Sequence, residues 1–208
     1  YLSLREYEEA LQYSLKSVET FKSVYGDSHP AIEIPNSNIA EIYHHLGDSN
    51  KALEYYLKSL DILKSAHGDN HPHVARAYNN LGQIYYVQGE AEKALEIFKK
   101  TLEVRIAVYG DNHPEVASSY ETLGVLSSNQ GELEKAHEYF LKLIDCKKAL
   151  YGENHPDVAR SCATLGNQFK GKGDFEKARE YHLKALEIEK AVYGDVHPEV
   201  ATTYDNIA

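Results

Sequence analysis

The sequence predicts an all-α chain, an α-solenoid of antiparallel helix hairpins. Three observations predict it. His-Pro recurs at His29, His71, His113, His155 and His197, 42 residues apart each time. A glycine stands three residues before each histidine, from Gly26 to Gly194, and a second series runs Gly47, Gly89, Gly131 and Gly173. Between glycines the apolar residues step by three and four, the helical period.

Each repeat thus holds two helices, A after the His-Pro and B after the second glycine. B helices are predicted over 5–25, 49–66, 91–108, 133–150 and 175–192, and A helices over 31–46, 72–88, 114–130, 156–172 and from 198 onward. Proline suits the first helical turn, where its missing N–H costs nothing, and glycine stops a helix at its far end. In the second full repeat Val74, Ala75, Tyr78, Leu81 and Tyr85 mark helix A, and Ala94, Leu95, Phe98, Leu102 and Ile106 mark helix B. Pro35 falls where Ala77 stands one repeat later. A proline inside a helix removes a hydrogen bond and clashes, so the first A helix is expected to begin late, near Pro35, or to kink there. Glu54-Lys58, Glu96-Lys100, Glu138-Lys142 and Glu180-Lys184 are i,i+4 pairs in the favourable order and mark the outer face of the B helices.

One hairpin cannot bury its own apolar face, so stacked hairpins share a core and grow into a curved, superhelical rod with a concave groove. The repeat divides the chain into units at 1–29 (helix B only), 30–71, 72–113, 114–155, 156–197 and 198–208 (part of a helix A), one solenoid over 1–208. The chain opens at Tyr1 without any methionine and reads as a piece of a longer polypeptide. Neither end has a polar cap, which predicts self-association through the ends.

Composition narrows the function. The chain has 208 residues, 42% hydrophobic and 26% charged, as a folded protein does. A net charge of -10 opposes binding to nucleic acid or anionic membranes, and no apolar run is long enough to insert into a bilayer. No leader and no Asn-x-Ser/Thr sequon is present, which points to a cytoplasmic protein. Cys146 and Cys162 both fall in predicted helices and read as reduced, packed thiols, with a single bridge as the alternative.

Tyr78, Leu81, Gly82 and Tyr85, then Gly89, Ala94 and Phe98, resemble the tetratricopeptide signature, and Tyr120, Leu123, Gly124, Gly131, Ala136 and Phe140 repeat it. The long repeat and its Tyr-Gly-Asp-x-His-Pro junction resemble the kinesin light chain and nephrocystin-like branch of that superfamily. Ser127 departs from the pattern at the place of Tyr85, and His182 at the place of Phe98.

The resemblance implies a scaffold that binds a protein or peptide in the groove, with the A helices lining it. Matched by position, the groove residues are Asn38 and Glu41, with Ile34, Ser37 and His45; then Arg76, Asn79, Asn80, Gln83 and Tyr86. The next two A helices offer Glu121 and Asn129, then Arg160, Asn167 and Lys170. Asn38, Asn80 and Asn206 resemble the asparagines with which relatives grip peptide backbones, since an amide both donates and accepts. Thr122 and Thr164 interrupt that series. Arg76, Asn80 and Arg160 are the groups suited to a carboxylate, because the guanidinium fork matches it. The alternatives are a structural spacer and a regulatory arm of a larger multidomain protein.

No catalytic, metal or cofactor site is expected. One His-Pro histidine per repeat puts successive rings on successive layers, too far apart to share an ion. Gly166 to Gly173 matches most of a phosphate-binding loop, but Gly173 stands where the Ser or Thr belongs and no strand precedes it. The histidines, serines and carboxylates recur with the repeat, as structural residues do.

Overall fold

In the computed structural model, which describes residues 4–207, ten α-helices follow one another and, among the described residues, there is no strand. The B helices are α1 (Leu4–Tyr25), α3 (Ser49–His67), α5 (Ala91–Tyr109), α7 (Leu133–Tyr151) and α9 (Phe175–Tyr193). The A helices are α2 (Glu33–His45), α4 (Pro72–Val87), α6 (Pro114–Asn129), α8 (Pro156–Gly171) and α10 (Pro198–Ile207). Pro35 acts as expected. A 3-10 turn over Pro30–Ile32 comes first, α2 begins at Glu33, and the proline sits in its first turn, where no intrahelical bond is lost.

The helix ends follow from local chemistry. The A helices α4, α6 and α8 start on an extended histidine whose Nδ1 accepts the backbone N–H two residues on, as at His113 with Glu115 (3.2 Å) and His155 with Asp157 (3.1 Å). Asp48 and Asp174 cap α3 and α9 by accepting from the N–H of Lys51 and Lys177. At the end of α4 Gly89 takes φ 78°, donating to the Tyr86 carbonyl while Glu90 donates to that of Tyr85. This paired closure needs a left-handed residue, which glycine adopts without strain.

The chain forms two compact units, residues 1–108 and 109–208. In the first, α1 packs on α2, α2 on α3 and α3 on α4. Ala40, Ala52, Tyr56, Leu60, Leu63, Val74, Leu81 and Ile84 make its core. In the second, α6 packs on α7, α7 on α8, α8 on α9 and α9 on α10. Val116, Leu123, Phe140, Leu143, Val158 and Leu165 are sealed from solvent there.

The hairpins α4–α5, α6–α7 and α8–α9 cross at the same place. A Cβ on Gly82 would lie 2.8 Å from the ring of Phe98, and one on Gly124 would lie 2.9 Å from Phe140. The third crossing pairs Gly166 with His182, at 2.9 Å from Cε1. The ring of His182 is fully buried and neither nitrogen has a partner.

Cys146 and Cys162 are unpaired, buried thiols. Three of the four expected surface pairs form: Glu54–Lys58 (2.5 Å), Glu96–Lys100 (3.0 Å) and Glu180–Lys184 (2.6 Å). Glu138–Lys142 does not. Lys142 turns instead toward the ring of Tyr120, with Nζ 5.9 Å from its centroid, so a cation–π contact competes with a weak exposed pair.

Candidate binding surface

In each unit the candidate surface is the exposed face of its A helices, α2 and α4 in the first and α6 and α8 in the second. On α2 the residues Pro35, Asn36, Ile39, Ala40 and Ile42 are buried, while Ile34, Asn38, Glu41 and His45 stay exposed at steps of three and four. The first set welds the helix to α1 and α3, so the second is held in place without being used by the core. Ser37 leaves the exposed set. Its hydroxyl reaches Glu33 (2.9 Å) and Ser59 (2.8 Å), and Ser59 also donates to Glu33 (3.2 Å), a buried polar triad. Glu41 lies 4.0 Å from His45, whose ring stacks on Tyr7 at 5.4 Å. Burial first, and then the Glu41 carboxylate, push the Tyr56 phenol up to about 12.

On α4, Arg76, Gln83 and Tyr86 are exposed, whereas Asn79 and Asn80 are half-buried. Among the described residues Arg76 has no ion-pair partner, so its fork is free for a ligand.

In the second unit Glu121 and Asn129 of α6 are exposed, as are Arg160, Asn167 and Lys170 of α8. Two of these are already engaged. Arg160 bonds Asp157 at 3.0 Å, and Lys170 donates to the Asn206 carbonyl at 3.3 Å. Thr122 and Thr164, which interrupt the asparagine series, spend their hydroxyls on the carbonyls of Ser118 (3.0 Å) and Arg160 (2.9 Å), one turn back. Asn38 and Asn80 therefore keep amides that those threonines cannot replace.

Sequence reasoning read the His-Pro histidines as junction residues and missed two things they do. Besides capping, each ring stacks on an aromatic four residues earlier: Tyr109 on His113 at 4.2 Å, Tyr151 on His155 at 4.6 Å and Tyr193 on His197 at 4.2 Å. The signal was legible as an aromatic always four residues before the histidine. The second repeat puts His67 at that place, and His67, His71 and His73 gather with centroids 4.3–6.3 Å apart. Among the described residues no group of three or more His, Cys, Asp or Glu is arranged to hold a metal ion, and no helix is long and apolar enough to cross a membrane.

Comparison with known proteins agrees with this geometry. A family model described as tetratricopeptide repeat matches residues 31–106, 74–149 and 162–208, and a second of the same description matches residues 1–31. Nearly identical TPR-like repeats from a chain described as a kinesin light chain of Podosopora anserina superpose with a TM-score of 0.75 at 18% identity, covering 90% of this chain and 89% of that one. BtubC (BKLC) from P. vanneervenii gives 0.70 at 22% identity, over 97% of this chain and 81% of that one. MamA gives 0.61 at 24% identity, over 93% and 99%. At such identities the likeness is one of fold. No curated protein matches the sequence significantly.

Proposed function

Because this chain belongs to the tetratricopeptide repeat family, we propose that it is a scaffold that holds a protein or peptide partner against the exposed faces of its A helices. One observation carries the reading. Exposed polar side chains recur at matched positions of several A helices, Glu41 with Gln83 and Asn167, and Arg76 with Arg160, while the opposite face of each of these helices is packed. Asn38, Asn80, Gln83 and Asn167 suit the unpaired amides of an extended backbone. Arg76 supplies a free cation, and Glu41 and Glu121 supply anions, so the partner's side chains are read by both signs. A cargo-adaptor role and a cytoplasmic location are consistent with the fold shared with kinesin light chain repeats.

A photo-crosslinking amino acid at Gln83 or Asn167, compared with one at Glu96 or Glu180 on the B helices, tests this. Partner adducts are expected from the first pair of positions. Arg76→Ala with Asn80→Ala is expected to weaken capture by about tenfold or more, since each lost polar contact is worth about 1 kcal/mol. Adducts only from the B-helix positions would defeat the reading.

A further inference from the structure

One repeat position interrupts its own pattern. Spaced by 42, it reads Asn36, Tyr78, Tyr120, Cys162 and Tyr204. Where tyrosine stands there, its ring fills the space beside a B-helix lysine. Tyr78 packs against the core of the first unit, and Lys64 of α3 bonds Asp69 at 2.9 Å and is held charged by that pair and by the nearby Tyr78. Lys190 of α9 repeats this, bonding Asp195 at 2.9 Å with Nζ 5.4 Å from the centroid of Tyr204. Tyr120 is buried with Lys142 of the following B helix over its ring, and in its repeat Ile106 stands at the position of Lys64 and Lys190.

Cys162 removes the phenol and leaves the rest of the arrangement. Between α7 and α9 lies a cavity of about 340 Å³, lined by Cys162, Leu141, Ile144, Ile188 and Tyr181 and on its polar side by Asp145, Asn154 and Glu187. That volume is at the lower end of the roughly 300–1,000 Å³ of ligand pockets. Lys148, the counterpart of Lys64 and Lys190, stands on its rim with Glu153, the counterpart of Asp69 and Asp195. Among the described residues the Lys148 ammonium has no hydrogen-bond or ion-pair partner. Lys184, on the facing wall, is occupied by Glu180.

We propose that this crevice is a binding site for a tyrosine side chain of a partner polypeptide, which takes the place held elsewhere by the chain's own tyrosines. Leu141, Ile144 and Ile188 receive the ring and Lys148 Nζ donates to its hydroxyl. Arg160, Asn167 and Lys170 do not line the crevice, so the proposal stands apart from the A-helix surface.

Methyl NMR of the full chain, titrated with N-acetyl-L-tyrosinamide, tests it. Saturable shifts confined to Leu141, Ile144 and Ile188 are expected at millimolar probe. N-acetyl-L-phenylalaninamide, lacking the hydroxyl, is expected to bind about fivefold more weakly. Cys162→Tyr restores the chain's own ring and is expected to abolish the shifts. Lys148→Gln is expected to bring the tyrosine probe down to the level of the phenylalanine probe. The absence of shifts, shifts that survive Cys162→Tyr, or equal binding of the two probes would overturn the site. A response to p-cresol but not to the tyrosinamide would overturn a polypeptide source. Should Cys162→Tyr lose its helical circular dichroism, Lys148→Gln decides, and unchanged affinity refutes the proposal.

Discussion

At Gly82 and Gly124 a single hydrogen side chain lets an aromatic ring lie on the backbone of the A helix. A methyl there meets the rigid ring of Phe98 or Phe140, so Gly82→Ala is expected to cost about 1–3 kcal/mol. Urea unfolding checks this, and Phe98→Leu in the same chain is expected to recover part of the loss. His182 holds the same place without a partner for either nitrogen. Burial, and after it the charge of Lys170, push its imidazole below the ordinary 6.5. The folded state therefore prefers the neutral ring more than the unfolded state does. Its stability is fully present above the unfolded pKa and declines as the pH falls below it. His182→Phe copies the sister hairpins and removes an unpaired buried polar group, which is worth about 1–3 kcal/mol. The variant is expected to melt higher, and by more at pH 5.5 than at pH 8 (both about one unit or more from the unfolded pKa). An equal gain at both would contradict the account. At the junctions, His113→Ala loses the cap on α6, an expected cost of about 1 kcal/mol, and His113→Asn is expected to retain most of it.

Elements respond to where a residue falls in the turn count. Pro35 is harmless because α2 starts only two residues before it. Its counterpart Ala77 lies in the second turn of α4 and is buried. Ala77→Pro is thus expected to cost about 3 kcal/mol or more, while Pro35→Ala stays within about 1 kcal/mol. Circular dichroism in urea separates the two. The A-helix faces follow the same logic. Residues three and four apart share a side, so packing one stripe leaves the other exposed. That stripe was legible in the sequence for Asn38, Glu41, Arg76 and Gln83. The withdrawal of Ser37 into a bond with Glu33 and Ser59 was not, because Ser59 lies on another helix. Nor was the pairing of Arg160 with Asp157, since a flexible side chain one turn away has several partners within reach.

For the whole molecule, repeated hairpins imply stability that is built up locally, neighbour on neighbour. Helix α1 buries none of its residues fully, whereas α4 and α8 bury six and seven. Amide exchange is expected to be fastest across α1 and slowest around Leu81 and Leu165; uniform protection along the chain would contradict this. Burial also pushes the Cys146 and Cys162 thiols up. Both are expected to react slowly with a thiol reagent at neutral pH in the native chain and fast in denaturant.

The sequence by itself determined the helices, their ends and their order, because proline, glycine and apolar spacing act over one or two turns and repeat five times. It also determined the membership of the family. Only the tertiary structure decided which polar side chains the fold consumes, that Lys142 turns from Glu138 to Tyr120, and that Cys162 opens a crevice instead of sealing one. Those outcomes depend on distances between helices. A one-dimensional pattern records which residue is smaller than its counterpart, but not whether its neighbours close over the space.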